Sequence, residues 1–244
     1  MKIEKNITTV GEIVAEDFGH AEVMNRHGID FCCNGDDTLD VAANKVGADV
    51  DHVISDIEAY NKGGVGGSIP FATFPKDFLI DYIIKIHHRG TRRDGKTILD
   101  LFEKVERVHG ERHPELHEVR ALFTQSMEAL EVHLAKEEQV LFPHLYAQID
   151  NLYHERPWLA FHCGSVAGPI SVMEDDHSEE GVRMHKIIEL TDHFSAPDDA
   201  CNSFRLLYSM LHDFAHNLFE HIHLENNILF PWAIQEEHKA MTQG

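Results

Sequence analysis

From residue 76 onward, apolar positions recur every three or four residues, the spacing of one face of an α-helix. The pattern predicts four long helices over about 76–109, 114–149, 171–194 and 199–238. Pro114, Gly168-Pro169 and Pro197 punctuate them, and Asp198 or Asp199 suits the start of the last. Gly90 and Gly95 weaken the first helix by about 1 kcal/mol each relative to Ala, yet the pattern runs through them. No stretch alternates as a strand would. Long helices joined by modest loops predict an all-α fold, an antiparallel four-helix bundle.

Residues 1–62 carry shorter amphipathic pieces, "VGEIVAED", "HAEVMNRHGI", "TLDVAANKVG" and "DVDHVISDIEAYN", split by Gly and Asp signals. They predict a small helical domain before the bundle. Residues 63–75, Gly-rich with two prolines, read as a linker, and the bundle then spans 76–240.

One pattern occurs twice. His133, Glu137 and Leu141-Phe142-Pro143 are matched by His221, Glu225 and Leu229-Phe230-Pro231. Positions four apart share a helix face, so each histidine points with its glutamate. Leu130, Val140 and Leu141 fall near the first pair on a helical wheel; Leu218, Ile228, Leu229 and Trp232 fall near the second. A carboxylate within the core-facing stripe is costly unless paired or metal-bound. One copy alone reads as a core histidine with a local hydrogen bond; two copies argue for a shared site. Each Leu-Phe-Pro is expected to kink or end its helix.

The doubling extends upstream. His88 precedes His133 by much the same interval as His177 precedes His221. Each half reads as a helical hairpin, with one histidine on its first helix and His-x-x-x-Glu on its second. Two hairpins would bring four His and two Glu to the midline of the bundle. On the first helix, periodicity mildly prefers His87, on the stripe of Ile80, Ile83 and Ile84, whereas half-site spacing prefers His88. On the third, His177 fits the repeat and His185 lies nearer the bundle wall.

Composition sharpens this picture. Histidine is abundant, 20 of 244 residues, about three to four times a usual share. Net charge is −21, which argues against nucleic-acid and anionic-membrane partners. No apolar run approaches the ~18 residues of a spanning helix, and the N-terminus lacks a signal-peptide pattern. Adjacent Cys32 and Cys33 cannot bridge without strain, and Cys163 and Cys201 are isolated. The expected compartment is the cytoplasm, where thiols stay reduced.

Imidazole with carboxylate suits iron, manganese or zinc, and affinity order does not choose among them. Structural zinc favours closed tetrahedral sets, often with cysteine. An open, cysteine-free site held by four His and two Glu points to redox-active iron.

The segments "DYIIKIHH", "KVERVH", "HLAKEEQVLFP", "GPISVMEDDH" and "HIHLENNILFP", together with "GIDFCCNGDDTL", resemble the hemerythrin-like iron–sulfur cluster repair proteins, the repair-of-iron-centres family. The likeness spans nearly the whole chain. It implies a hemerythrin-like bundle with two non-haem iron ions, bridged by oxide and carboxylate. The implied ligands are His88, His133, Glu137, His177, His221 and Glu225, which selects His88 over His87. It also implies repair of iron–sulfur proteins damaged by nitrosative or oxidative stress, with nitric oxide or oxygen as small-molecule partners. Iron donation and nitric oxide reduction, an enzymatic role, both stay open. The alternative function is a hemerythrin-type oxygen or nitric oxide binding or sensing protein. Cys32 and Cys33 are candidates for redox or iron handling, through a thiolate activated by a basic group or helix N-terminus. A homodimer is expected, because the small domain has little core of its own.

Other polar residues admit plainer readings. His109 suits a group behind the ligands or a helix-end cap, and His144 a bundle end or the site mouth. His113 and His117 read as solvated. Glu138, Asp176 and Glu179 either orient ligands or are solvated charge.

Overall fold

The computed structural model describes residues 3–63, 69–162 and 164–243. Residues 64–68 of the expected linker and Cys163 lie outside the described residues. Four short helices come first: α1 (Val10–Glu16), α2 (His20–Arg26), α3 (Leu39–Val46) and α4 (Val50–Lys62). Four long ones follow: α5 (76–109), α6 (115–153), α7 (Ala167–Leu190) and α8 (202–243). Among the described residues, extended pairing is limited to the isolated bridges Thr9–Thr38 and Phe161–Gly164. No described helix is long and apolar enough to cross a membrane. The chain divides into two compact units, Ile80–His221 and Met1–Leu79 with Ile222–Gly244.

In the second of these units, local signals set the short helices. Thr9 and Glu12 form a reciprocal capping box on α1. Asp49 caps α4 by accepting from the amides of Asp51 and His52. Gly28 and Gly47, at φ 69° and 71°, turn the chain out of α2 and α3 in the left-handed region that glycine tolerates. Val10, Ile13, Val14, Val23, Met24, Leu39, Val53 and Ile57 form its buried core. The last part of α8 completes that core. His223 is buried between Phe18 and Phe31, at ring-centroid distances of 5.7 and 5.9 Å.

The Ile80–His221 unit is the bundle. Arg92 pairs with Glu131 and Glu138, while Glu106, farther along α5, pairs with His117 and Arg120 near the start of α6. These pairs run in opposite senses, so α5 and α6 are antiparallel. Lys136 with Asp176, and His133 with His177, order α6 against α7 in the same way. The glycines that weaken α5 have a packing reason: a side chain at Gly95 would overlap Met127, and one at Gly90 would crowd the Asn217 amide at 3.2 Å. α7 stops at Leu190 rather than near 194, because Asp192, His193 and Phe194 all take positive φ. Between α6 and α7, Gln148 pins the connecting segment by accepting from the Leu159 amide at 3.0 Å.

Three of the long helices contain π-helical turns, at Ile83–His88, Glu137–Leu141 and Glu225–Leu229. These correct two expectations. Leu-Phe-Pro does not end either helix: α6 continues to Tyr153 and α8 to Gln243. A wide turn moves the carbonyl that the proline ring would otherwise strike, so the helix runs on. The wheel's Val140 also faces outward, at 45% exposure, while Ile228, its counterpart in the second π-turn, is buried, so packing around the turn decides that position.

Candidate metal centre

Each π-turn begins or ends at a residue singled out from sequence. Glu137 and Glu225 open two of them, and His87 and His88 close the third. Such turns are frequent at functional sites because they aim one more side chain inward than an α-helix would. His88 is fully buried, as are Glu137 and Glu225, and His133, His177 and His221 are nearly so. Within the Ile80–His221 unit, His133, Glu137, His177 and His221 each offer a ligand atom, and these atoms lie within 4.8 Å of one another.

Glu137 organises the group. Its Oε1 is 3.3 Å from His133 Nε2, while its Oε2 is 3.4 Å from His88 Nε2 and 3.9 Å from His221 Nε2. One carboxylate thus presents one oxygen to each of two histidine sets. His177 Nε2 and His133 Nε2 face each other at 3.0 Å. Burial, with His88 alongside, outweighs Glu137 and holds His221 well below the ordinary histidine value. A neutral ring is the form that binds a cation. A buried carboxylate among imidazole nitrogens forms a donor set that fits a divalent cation and would be costly without one.

The outer nitrogens are held as well. His88 Nδ1 donates to Glu138 Oε1 at 2.8 Å, and Glu138 also takes Arg92 at 2.7 Å. His133 Nδ1 donates to Asp176 Oδ2 at 3.2 Å, and Asp176 also takes Lys136 at 2.8 Å. Burial pushes both carboxyls up, but the Arg92–His88 and Lys136–His133 pairs outweigh it and hold them below the usual range. Each carboxylate keeps the proton on Nδ1, leaving Nε2 to face inward. Glu179, by contrast, is exposed.

The π-turn buries both histidines of the first helix, and they face different partners. His87 Nδ1 meets Asn217, its Nε2 lies 3.8 Å from Glu220, and its ring stacks on His221 at 5.8 Å. Burial raises Glu220 to about 7, partly offset by Tyr82, whose own hydroxyl burial and Glu220 push to about 12. This polar pocket was not read from the sequence, since Asn217 and Glu220 belong to no repeat. Glu180 was also missed. It is buried beside Arg183 and raised by that burial. Its spacing of three from His177 put it on the ligand face, a signal that was available. His185 is exposed. His144 packs on Phe161 at 4.7 Å.

Cys32 and Cys33 lie in the unit that includes Glu225, with Sγ atoms 3.7 Å apart. Asp30 Oδ1 accepts from both cysteine amides at 3.0 Å and from Cys32 Sγ at 3.3 Å. The expectation of an activated thiolate is reversed at Cys32. Its hydrogen bond to Cys33, its burial and the nearby Asp30 push the thiol well up. The neighbour is an acid, not a base. The π-turn of α8 holds this loop: Asn226 Nδ2 donates to the Cys32 carbonyl and Asn227 Nδ2 to the Phe31 carbonyl, each at 3.1 Å.

Comparison with known proteins agrees with this arrangement. A family profile described as "Hemerythrin HHE cation binding domain" matches residues 79–233, and ScdA_N, a domain of unknown function (DUF542), matches residues 6–61. The iron-sulfur cluster repair protein YtfE of Yersinia pseudotuberculosis serotype IB (strain PB1/+) is 35% identical over 216 residues, 88% of this chain and 91% of the relative. YtfE of Yersinia pestis (strain Pestoides F) shows the same identity and coverage. A hemerythrin-type helical domain with a buried His/Glu group, preceded by a small ScdA_N domain, places the chain in the YtfE family of iron-sulfur cluster repair proteins.

Proposed function

We propose that this chain repairs iron–sulfur clusters damaged by nitrosative or oxidative stress, using two iron ions held by His88, His133, Glu137, His177, His221 and Glu225. The observation that carries the reading is Glu137, buried, with one oxygen toward His133 and the other toward His88 and His221. Glu137 and Glu225 would supply the two carboxylate ligands. When bound, iron supplies one-electron redox chemistry, positions for a small molecule such as nitric oxide or oxygen, and an ion that can itself be cargo.

The chain's residues do the rest. Glu138 and Asp176 fix the rings of His88 and His133. Phe142, stacked on His88 at 5.8 Å, excludes water from one flank. Residues 1–62 form a Cys-Cys domain, 63–75 a linker and 76–240 the iron-binding bundle. Cys32 and Cys33, with Asp30 as a third donor, handle iron in transit; these three groups could themselves hold an ion. The protein acts in the cytoplasm on damaged iron–sulfur proteins.

The test uses iron-loaded protein and an apo iron–sulfur acceptor under anaerobic conditions. Wild type is expected to hold two irons and pass iron to the acceptor. His88→Gln should lower the count, while His87→Gln should keep it, because His87 faces Asn217 and Glu220. Equal iron in all three proteins would refute the ligand set. Nitrous oxide release on adding nitric oxide would assign reduction instead of donation. A stable nitrosyl adduct with no transfer would favour the hemerythrin-type carrier and overturn the repair reading.

A further inference from the structure

A second cluster of donors lies at the other end of α5. His109 is the last residue of that helix, and at 1.5 Å per residue it sits about 30 Å along it from His88. His113 is in the turn that follows. Its amide donates to the His109 carbonyl at 2.9 Å, which folds the turn back over the helix end. Asp199 comes from the turn before α8, which a bond from the Ala200 amide to the Pro197 carbonyl closes. One ligand atom from each of His109, His113 and Asp199 lies within 4.8 Å of the others.

The decisive residue is His109. It is 3% exposed, and neither of its ring nitrogens has a hydrogen-bond partner. Leaving such a group unsatisfied costs about 1–3 kcal/mol. Its ring packs on Phe204 at 5.3 Å, and His113 packs on the same ring at 5.2 Å. A single phenyl group therefore backs both imidazoles.

The other two donors are set as ligands usually are. His113 Nδ1 meets Glu115 Oε1 at 3.0 Å, which turns its Nε2 toward Asp199 Oδ1, also at 3.0 Å. A carboxylate behind a histidine is the common support of a metal-bound imidazole. A separation of about 3 Å is also what two ligands of one ion would show. Arg112 occupies the other oxygen, Asp199 Oδ2, at 2.9 Å. Its positive charge is matched by Asp199 and Glu115, so the pocket is not net basic.

We propose that His109, His113 and Asp199 form a mononuclear site for a zinc ion, separate from the dinuclear centre. Two imidazoles and one carboxylate leave coordination positions open toward solvent, since Asp199 is 42% exposed. The ion would tie the α5–α6 turn to the segment entering α8. It would also raise the metal content above that of the dinuclear centre, and the additional ion would be the more accessible to chelators.

The test uses full-length, iron-loaded protein incubated with zinc chloride, desalted, and analysed for both metals per chain. Wild type should keep about one zinc with its iron count unchanged, as a single three-residue site requires. Asp199→Asn and His113→Gln lie at the rim, so the fold should tolerate them; each should weaken zinc binding at least about 10-fold. Cobalt added in place of zinc should give visible absorption bands that both variants lose. Zinc absent from wild type, zinc held equally by all three proteins, or zinc gained only as iron is lost would each overturn the proposal. The dinuclear reading fails differently: there, His88→Gln would leave the iron count unchanged.

Discussion

Gly35→Ala probes the join between the cysteine loop and α8. Gly35 is buried, its backbone is not in the left-handed region, and its carbonyl accepts from the Gly11 amide at 2.9 Å. An added methyl group would overlap the carboxamide of Asn227. That amide cannot move without giving up two bonds, to the Phe31 carbonyl at 3.1 Å and to His223 Nδ1 at 2.9 Å. Each bond contributes about 1 kcal/mol net, and each buried acceptor left alone costs about 1–3 kcal/mol. The substitution should therefore destabilise the protein by about 2–4 kcal/mol. Asn227→Ala breaks the same two bonds and should cost a similar amount. In the double variant the obstacle is gone and the bonds are already lost, so the two costs should overlap by ~2 kcal/mol or more. Urea unfolding of the four iron-loaded proteins measures the cycle, and the alkylation rate of Cys33 reports the loop locally. If the single costs add to within about 0.5 kcal/mol, the steric and hydrogen-bonding account is wrong.

Two further outcomes are expected. Glu138→Gln removes the charge behind His88 and one partner of Arg92, and should weaken iron binding about 10–100-fold in a chelator competition; an unchanged midpoint would exclude an orienting role. Glu106 is pushed up by burial but pulled below the usual carboxylate range by Arg120 and His117. Its folded value is lowered, so its contribution is present above about pH 4.3, the unfolded value, and is lost as pH falls through the folded value. Urea midpoints should thus fall more steeply below about pH 4.5 for wild type than for Glu106→Gln, and parallel curves would refute this.

The four long helices and the doubled His-x-x-x-Glu pattern were legible because both rest on spacing, which a sequence displays directly. The phase inside those helices was not. A wheel turned at a constant 100° per residue put His87 and Val140 inward and left His88 to the repeat. The π-turn of α5 buries both histidines, and Val140 faces out although its counterpart Ile228 is buried. No residue preference announces a wide turn; it shows itself only in the outcome. The same limit hid the polar pocket of Glu220, Asn217 and Tyr82, whose members meet only after packing. His109 and His113 read as a cap and a solvated residue because their third partner, Asp199, lies 86 residues beyond His113. At Cys32, a basic neighbour was the assumption, and the fold supplied Asp30.

The π-turns at Glu137 and Glu225 also let one helix serve two masters. Upstream of each, the angular setting of the side chains brings a histidine onto the face of its glutamate; downstream, it seats Phe142 and Phe230 in the interior. An added residue between the stretches acts as a clutch, so that either can be retuned by substitution without turning the other. Removing one residue from either turn would couple them again, swinging about a quarter-circle of side chains out of place along the remaining length.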